Sequence, residues 1–463
     1  MKKMTKNLKY IFEPKSVAIV GASSTANSVG NILMKNLVDG KFPGAIYPIN
    51  PKYKEILGVK CHNKLTDIKG RLDCVIIVTP AVIVPEIMKD CAKKKVGGII
   101  LITSGFEEVG RQDLAKQVKD IAEKNDIPVI GPNCLGVLNP YTKVDSIFLP
   151  VYKLGRPKPG SIAFVTQSGA VGSAITDLAA YYGIGISKFI SYGNATVLDE
   201  SDYLEYLLED KETETIILYM EGAKDGRKLL ETMKKVNKVK PIIVLKAGKG
   251  KGGQAAARSH TGNIAGSNMA YTAAFRQAKV TEADGINELF DFVKMFSQPK
   301  QEGKRIGVIT NGGGMGVLTA DYIEKEGLEL AEFSETTKSE LKKLLPSYGN
   351  VGNPLDLVAD SGVNAYEKAV DIMNNAPEVD ILVIIVLFQT PPIDERIVHV
   401  LTRVSDDRNK PVATISVGGE YTEAYRKILE SNNVPNFNSP SGAIKAVGKW
   451  VEYSKYSGHL REK

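Results

Sequence analysis

Cysteine, long apolar runs and clustered charge are all scarce in this sequence of 463 residues, and each absence excludes a class of protein. The four cysteines lack the close pairing of a zinc site, and so few thiols suit a reducing compartment. The longest apolar run, residues 381–388, is too short to cross a bilayer, and residues 1–12 lack the apolar core and cleavage site of a signal peptide. The net charge of +7 is spread along the chain, whereas nucleic-acid-binding proteins concentrate it in a stripe. We therefore expect a soluble, cytoplasmic, multidomain protein that binds neither nucleic acid nor membrane.

Histidine is equally sparse, and the full set is His62, His260, His399 and His459. Only His260 lies in a run of small residues, KAGKGKGGQAAARSHTGNIAGSN at 246–268, whose glycines predict a long loop. The apolar run 241–245 predicts a buried parallel strand, so this loop would leave the sheet edge where ligands bind in open α/β folds. A neutral imidazole there can attack an electrophile and carry the transferred group. An ordinary surface loop with an incidental histidine explains the same composition.

Short apolar runs alternate with helical patterns between residues 16 and 141, which indicates a parallel, doubly wound sheet. The predicted strands are 17–20, 45–49, 74–78, 98–102 and 127–130, and the predicted helices are 31–38, 84–95 and 107–124.

The first of these strands runs into Gly21, Ala22 and Ser23, a small-residue turn before a helix whose amides could bind phosphate. The full Gly-x-Gly-x-x-Gly fingerprint is absent, and Lys52 stands near the place where a dinucleotide site carries an acid. We therefore favour a phosphorylated, nucleotide-like ligand over NAD. The ends of the neighbouring strands add small and polar groups at the same edge, although each alone could be a plain turn: Val78, Thr79, Pro80, Ser104, Gly105, Asn133 and Cys134.

Two Pro- and Gly-rich connectors, 153–160 and 297–304, divide the chain into domains predicted at residues 1–150, 160–297 and 304–463. The second has predicted strands 161–165, 186–190, 215–220 and 241–245, and the third 305–310, 381–388 and 412–417. Glu221 follows strand 215–220, at the edge that the His260 loop leaves. Its carboxylate could fix the imidazole tautomer, although a solvated acid at a strand end is an equal alternative.

Three times the sequence runs from a strand through a Gly- or Ser-rich turn into a helix, at Gly21, Ser168 and Gly312. A helix start carries partial positive charge and unpaired amides, so two such starts near one histidine could hold a phosphoryl group without a metal. Ordinary packing turns of α/β units are the alternative.

Five motifs, SHTGNIAGSN, TQSGAVG, YMEGAKDGR, TNGGGMG and GNPLDL, resemble those of the nucleoside-diphosphate-forming acyl-CoA synthetases, relatives of succinyl-CoA synthetase. The resemblance implies a Rossmann-like CoA-binding domain followed by two flavodoxin-like domains. It also implies the reversible reaction of acyl-CoA, such as acetyl-CoA, with phosphate and ADP to give acid, CoA and ATP, through an acyl phosphate and a phosphohistidine.

By the same resemblance His260 carries the phosphoryl group, Glu221 stabilises it, and no residue binds a metal. Phosphate would bind at Gln167, Ser168, Gly169, Asn311, Gly312 and Gly313. CoA would bind at Gly21, Ala22, Ser23, Lys52, Val78, Thr79, Pro80, Ser104, Gly105, Asn133 and Cys134. Asp356 lies in the matching GNPLDL segment without an assigned role.

No segment matches the ATP-grasp domain that fused members of this family contain. The resemblance therefore implies a separate ATP-grasp beta subunit that binds ADP or ATP with Mg, in an α2β2 assembly. Two alternatives remain: a CoA-binding regulatory or sensing module without ligase chemistry, and a CoA-binding regulator of acyl transfer.

Overall fold

The computed structural model describes residues 3–254, 268–347 and 349–458. His260, the residue on which the sequence interpretation centres, lies outside the described residues. The chain forms two compact units, one of residues 1–181 and 185–282 and the other of residues 182–184 and 283–463.

The first sheet of unit 1 is parallel and has the strand order β2-β1-β5-β6-β7. The strands up to this point are β1 (Ser16–Val20), β2 (Ala45–Ile49), β3 (Glu55–Ile56), β4 (Val59–Lys60), β5 (Cys74–Ile77), β6 (Gly98–Leu101) and β7 (Val129–Ile130). The helices are α1 (Lys3–Asn7), α2 (Lys9–Phe12), α3 (Val29–Asp39), α4 (Val84–Lys94) and α5 (Gln112–Lys124). Strands β1, β5 and β6 are buried along their whole length, as parallel strands covered on both faces must be.

The second sheet of unit 1 has the order β14-β13-β12-β10-β11-β8-β9, and its β8 and β9 edge is antiparallel. Its strands are β8 (Val137–Asn139), β9 (Val144–Asp145), β10 (Pro159–Thr166), β11 (Ile186–Ser191), β12 (Thr215–Met220), β13 (Ile242–Lys246) and β14 (Thr281–Ala283). The helices are α6 (Gly169–Tyr181), α7 (Glu200–Glu209), α8 (Gly226–Asn237) and α9 (Asn268–Ala278).

Two features of unit 1 differ from the sequence expectation. The helix predicted over 107–124 is a 3-10 turn, Glu107–Val109, followed by α5, because Gly110 has a left-handed φ of 81° that interrupts the helix. Strands β8 and β9 were not predicted. They join the second sheet, although their residues precede the predicted domain boundary near residue 150.

One buried apolar cluster runs from the first sheet of unit 1 to the second. It includes Met34 and Ile130 on the side of the first sheet and Val165 and Leu218 in the second. Because protein interiors pack densely, this shared core fixes the two carboxyl edges relative to each other. The other face of the first sheet has its own core, which includes Ile77 and Val118.

Unit 2 contains a parallel sheet of order β16-β15-β18-β19-β20, with β17 also paired to β15. Its strands are β15 (Arg305–Thr310), β16 (Glu329–Leu330), β17 (Leu355–Asp356), β18 (Ile381–Ile385), β19 (Val412–Ile415) and β20 (Asn436–Phe437). Its helices are α10 (Ile286–Phe296), α11 (Gly313–Lys325), α12 (Glu335–Lys342), α13 (Val363–Asn375), α14 (Arg396–Asp407), α15 (Glu420–Ser431) and α16 (Pro440–Gly458). Within the described part of the chain, no helix is both long and apolar enough to cross a membrane.

Candidate functional site

A cavity of about 720 Å³ lies at the carboxyl edges of the two sheets of unit 1. Its lining includes predicted CoA-binding residues from the first sheet and predicted phosphate-binding residues from the second. The predicted residues brought together in this cavity are Val78, Thr79, Pro80, Ser104, Asn133, Cys134, Gln167, Ser168 and Gly169. Parallel strands direct their carboxyl ends to one edge, which explains how residues so far apart in sequence meet here.

The other predicted CoA residues do not line this cavity: Gly21, Ala22, Ser23, Lys52 and Gly105. Gly21 has a φ of 97°, and a Cβ atom there would lie 2.9 Å from the Val78 carbonyl oxygen, so only glycine fits this turn. Gly30, which the sequence interpretation did not single out, packs against the Gly21 carbonyl so closely that a Cβ atom would lie 2.1 Å from that oxygen. Ala22 is fully buried, so its role in this turn is to pack against the protein interior.

Two asparagines shape the turn after β1. Asn50 Nδ2 donates to the Ala22 carbonyl at 2.8 Å, and Asn31 Nδ2 donates to the Ser23 carbonyl at 3.1 Å. Ser28 caps α3, and its hydroxyl accepts from the Asn31 backbone N–H at 3.4 Å. The start of this helix is therefore held at the end of β1, in the arrangement that binds anions in α/β folds.

Tyr53, which follows β2, is a further residue beside this turn, and sequence reasoning missed it. Hydrogen bonds from the Thr25, Ser23 and Ser24 hydroxyls stabilise its phenolate and lower its pKa to about 8. The positive charge of Lys52 acts in the same direction. A tyrosine four residues after a strand carries no sequence signal of its own, because the hydroxyls that surround it come from a distant segment.

Helix α6 starts at the wall of the cavity that belongs to the second sheet. The Ser168 hydroxyl accepts from the Val171 backbone N–H at 3.3 Å and so caps the helix. The first N–H groups of a helix have no acceptor within it and carry partial positive charge, so this end attracts anions. The structure thus places the start of α6 in a cavity that also receives the strand ends of the first sheet.

Three side chains hold the turn that contains Glu221. Gln167 Oε1 accepts from the backbone N–H groups of Glu221 and Gly222, at 2.8 and 3.3 Å. Lys246 Nζ donates to the Glu221 carbonyl at 2.8 Å, and the Tyr271 hydroxyl accepts from the Ala223 N–H at 2.8 Å. Because Gln167 also lines the cavity, the Glu221 turn is tied directly to it.

Lys246 and Tyr271 also contact each other, with Lys246 Nζ 4.6 Å from the centre of the Tyr271 ring. Lys246 is the last residue of β13, and Tyr271 lies in the first turn of α9. They therefore connect both flanks of the undescribed segment 255–267 to the Glu221 turn. Burial lowers the pKa of Lys246, while the charge of Glu221 acts against that shift. The sequence signal that could have identified Lys246 is its position, a lysine at the end of an apolar strand.

Glu221 itself is buried, with 9% of its surface exposed. Burial, and then the charge of Glu221, raise the pKa of Tyr219 to about 12. The predicted contact between Glu221 and His260 stays a prediction, since His260 is outside the described residues.

Unit 2 contains the remaining predicted phosphate residues, Asn311, Gly312 and Gly313. The Asn311 side chain is buried and bonded within the protein: Nδ2 donates to the Leu387 carbonyl and to Thr390 Oγ1, and Oδ1 accepts from the Leu387 N–H. Its side chain thus fixes the turn between β15 and α11. Phosphate binding by these three residues stays a prediction.

Asp356 has a definite position at the start of α11. A Cβ atom on Gly313 would lie 2.5 Å from Asp356 Oδ2, so this glycine makes room for the carboxylate. The other oxygen, Oδ1, accepts from the Val358 N–H at 2.9 Å. A carboxylate at a helix start is stabilised by the helix dipole, and it opposes the binding of a second anion at the same place.

Three protein-family models match successive parts of the chain. They are a CoA binding domain over residues 15–140, a succinyl-CoA ligase like flavodoxin domain over residues 159–296 and a Ligase-CoA domain over residues 306–448.

Several proteins are similar to the chain along most of its length. The alpha subunit of ADP-forming acetate–CoA ligase II from Pyrococcus furiosus is 38% identical, over 97% of this chain and 99% of its own length. The ADP-forming acetate–CoA ligase of Methanocaldococcus jannaschii is 41% identical over 96% of this chain. The chain spans only 63% of the length of that relative, and 64% of a related enzyme from Archaeoglobus fulgidus.

A solved structure of acetyl-coenzyme A synthetase 1 from Ca. Korarchaeum cryptofilum, in complex with phosphate and ADP, has a TM-score of 0.92 to this chain. The two share 32% sequence identity, and the match covers 98% of each chain.

Proposed function

The chain belongs to the family of ADP-forming acetate–CoA ligases, and on that premise we propose that it is the alpha-subunit part of an ADP-forming acyl-CoA synthetase. The overall reaction converts acyl-CoA, phosphate and ADP to acid, CoA and ATP. The single observation that carries this proposal is the cavity of unit 1, where the strand ends of a CoA binding domain meet the start of α6.

CoA fits the wall of this cavity that belongs to the first sheet. Apolar residues such as Val29 and Ile102 line the cavity together with polar groups, which suits a ligand with an amide-containing arm. The buried Thr79 Oγ1 has no hydrogen-bond partner among the described residues, so it could bond to such a ligand. The turn at Gly21, with Lys52 and Tyr53, would receive a phosphate of the nucleotide end.

Inorganic phosphate would bind at the start of α6, between Ser168 and Gly169, with the Gln167 amide nitrogen as a further donor. Preorganised donors of this kind provide most of the catalysis in phosphoryl transfer, because they stabilise charge without rearranging.

The chemistry proceeds in three displacements. A phosphate oxygen attacks the thioester carbonyl, the C–S bond breaks, and CoA leaves as the thiol after taking up a proton. A nitrogen of His260 then attacks phosphorus, the P–O bond to the acyl group breaks, and the acid leaves. An oxygen of the ADP β-phosphate finally attacks the phosphohistidine, and the P–N bond breaks to give ATP. Glu221 would hold the imidazole so that the attacking nitrogen carries its lone pair.

The last displacement needs a nucleotide site, which we assign to a separate ATP-grasp beta subunit that binds ADP with Mg in an α2β2 assembly. The alpha-subunit names of two Pyrococcus furiosus relatives support a two-subunit enzyme. The four cysteine thiols are free and buried, which suits the cytoplasm that we propose as its location.

Incubation of the purified chain with acetyl-CoA and radiolabelled phosphate tests the proposal. We expect acid-labile, base-stable label on the wild-type protein and none on His260→Ala. Glu221→Gln should slow labelling by at least about tenfold, because the carboxylate that orients the imidazole is lost. The matched control is Glu214→Gln, which changes an exposed acid at the opposite end of β12 and should label at the normal rate.

Label on His260→Ala, or a normal rate for Glu221→Gln, would remove that residue from the mechanism. A wild-type chain that binds CoA but takes up no label would favour the sensing module over the ligase.

A further inference from the structure

Glu108 belongs to a chain of hydrogen bonds that crosses from one sheet of unit 1 to the other. It follows β6, and its carboxylate accepts from the Gly105 and Phe106 backbone N–H groups. On the other side, Glu108 Oε2 accepts from Asn194 Nδ2 at 2.6 Å. Asn194 follows β11 in the second sheet, is 5% exposed and lines the cavity.

The series of hydrogen bonds continues to the cavity wall through Asn133. Asn194 Oδ1 accepts from Asn133 Nδ2 at 3.2 Å, and Asn133 lines the same cavity. Among the described residues, none donates a hydrogen bond to the remaining polar atom of that side chain, Asn133 Oδ1.

The Glu108 carboxylate determines which group donates and which accepts in every hydrogen bond of this series. An ionised carboxylate can only accept, so Asn194 must turn its NH₂ group toward Glu108 and its carbonyl toward Asn133. Asn133 must then use its own NH₂ group for that carbonyl, which leaves its Oδ1 as an acceptor. Burial alone would raise the pKa of Glu108, but the hydrogen bonds from Gly105 and Asn194 outweigh it and keep the pKa below its usual value.

We propose that Glu108 is a positioning residue that acts through Asn194 to present Asn133 Oδ1 as a hydrogen-bond acceptor for an amide N–H of the pantetheine arm of CoA. This inference rests on the proposed function, since it requires CoA in the cavity. It assigns recognition of the arm to a side chain from the first sheet whose orientation depends on a residue from the second.

Glu107 offers a matched control on the same loop. Its carboxylate accepts from Thr196 Oγ1 at 2.7 Å and lies 3.6 Å from Lys224 Nζ, so it also joins the two sheets. Its partners do not line the cavity. Glu107→Gln therefore weakens the connection between the sheets without changing the orientation of Asn133.

The experiment measures binding of CoA and of adenosine 3′,5′-bisphosphate, which lacks the pantetheine arm, to the full chain by calorimetry. The side chain of Glu108→Gln presents an NH₂ donor to Gly105, Phe106 or Asn194. The side-chain amides of Asn194 and Asn133 are then no longer held in one orientation. Glu108→Gln should weaken CoA binding by about fivefold to tenfold, the effect of one lost hydrogen bond, and leave the bisphosphate unaffected. Glu107→Gln should leave both affinities unchanged.

A double-variant test distinguishes this role from general loosening. Asn133 has a left-handed φ of 56°, so Asn133→Gly removes its side chain without straining the backbone. In that background Glu108→Gln should have no further effect on CoA affinity. Should Glu108→Gln not fold, Asn194→Ser breaks the same chain from its other end and must give the same selective loss.

Unchanged CoA affinity in Glu108→Gln, equal losses for CoA and the bisphosphate, or an equal effect of Glu107→Gln would overturn the positioning role. A wild-type chain that does not bind CoA would instead overturn the proposed function, and this inference with it.

Discussion

Tyr53 and its hydroxyl neighbours make the turn after β1 sensitive to pH. The three hydroxyls of Thr25, Ser23 and Ser24 favour the phenolate, and the pKa of Tyr53 falls to about 8. Below that pH the residue is neutral and can donate to a phosphate oxygen. Above it, the phenolate is an anion beside the proposed phosphate position, so electrostatic repulsion replaces a hydrogen bond.

We therefore expect affinity for adenosine 3′,5′-bisphosphate to fall as the pH rises from 7 to 9. This ligand has no thiol, and its phosphates are already ionised in that range. Tyr53→Phe should bind more weakly at pH 7, because a donor is lost, and its affinity should not change between pH 7 and 9. Calorimetric titrations at pH 7, 8 and 9 measure both effects.

Tyr47→Phe is the control, since Tyr47 lies on β2 of the same sheet and its ring lies 5.8 Å from that of His62, centre to centre. It should keep the pH dependence of the wild type. If Tyr53→Phe shows the wild-type decline, another group is responsible and Tyr53 does not contact the ligand.

At the scale of elements, the contact between α3 and β1 decides whether the phosphate end of the site exists. Gly30, the second residue of α3, lies against the Gly21 carbonyl, and the nearest atoms to a Cβ there are all backbone. Backbone cannot move aside as the end of a side chain can, so the helix start must shift if a methyl group is added.

Gly30→Ala should therefore lower the free energy of unfolding by about 1–3 kcal/mol and abolish bisphosphate binding. Gly226→Ala is the matched control. Gly226 also lies in the first turn of a helix, α8, and nothing lies within 4 Å of a Cβ placed there. The free energy of unfolding of Gly226→Ala should be unchanged or higher by up to about 1 kcal/mol, since alanine favours a helix more than glycine does. Urea unfolding of the two variants tests this, and equal stability of both would contradict the packing argument.

The long buried strands were predictable because burial on both faces leaves an uninterrupted apolar run in the sequence. Strand β12 shows this, since all six of its residues are buried and its predicted bounds are those observed. Strands β8 and β9 have only three and two residues, too few for any periodicity, and β8 is defined by pairing with β11. The fold class, three α/β sheets with mainly parallel strands, followed from the long strands and is confirmed.

The candidate site was predictable where residues follow strands and not where side chains meet across sheets. Thr79 and Ser168 each follow a strand, and the topology brings both to one cavity. The contact of Glu108 with Asn194 joins residues 86 positions apart, and neither type is unusual in a turn. The support of Glu221 by Lys246 and Tyr271 likewise depends on tertiary packing, which the local sequence does not encode.

At the scale of the whole molecule, the distribution of the three matched domains separates two kinds of chemistry. Residues 15–140 and 159–296 both contribute to the cavity where we place the thioester and the phosphate, and this cavity lies in unit 1. Matching residues account for 63% of the Methanocaldococcus jannaschii enzyme, so more than a third of that relative has no counterpart in these 463 residues.

We expect this division to separate phosphorylation from ATP formation. The chain alone should form phosphohistidine from acetyl-CoA and phosphate but release no ATP when ADP and Mg are added, because we assign the nucleotide site to the partner. Addition of a separately purified polypeptide that corresponds to the remaining part of the longer relatives should restore ATP formation at a rate that saturates with its concentration. A coupled luciferase assay measures the ATP, and His260→Ala with the same partner is the control that should stay at background.

ATP formation by the wild-type chain without the partner would contradict the division, since the 463 residues would then contain both active centres. A partner that restored ATP formation to His260→Ala would show instead that the phosphoryl group passes between the centres without this histidine.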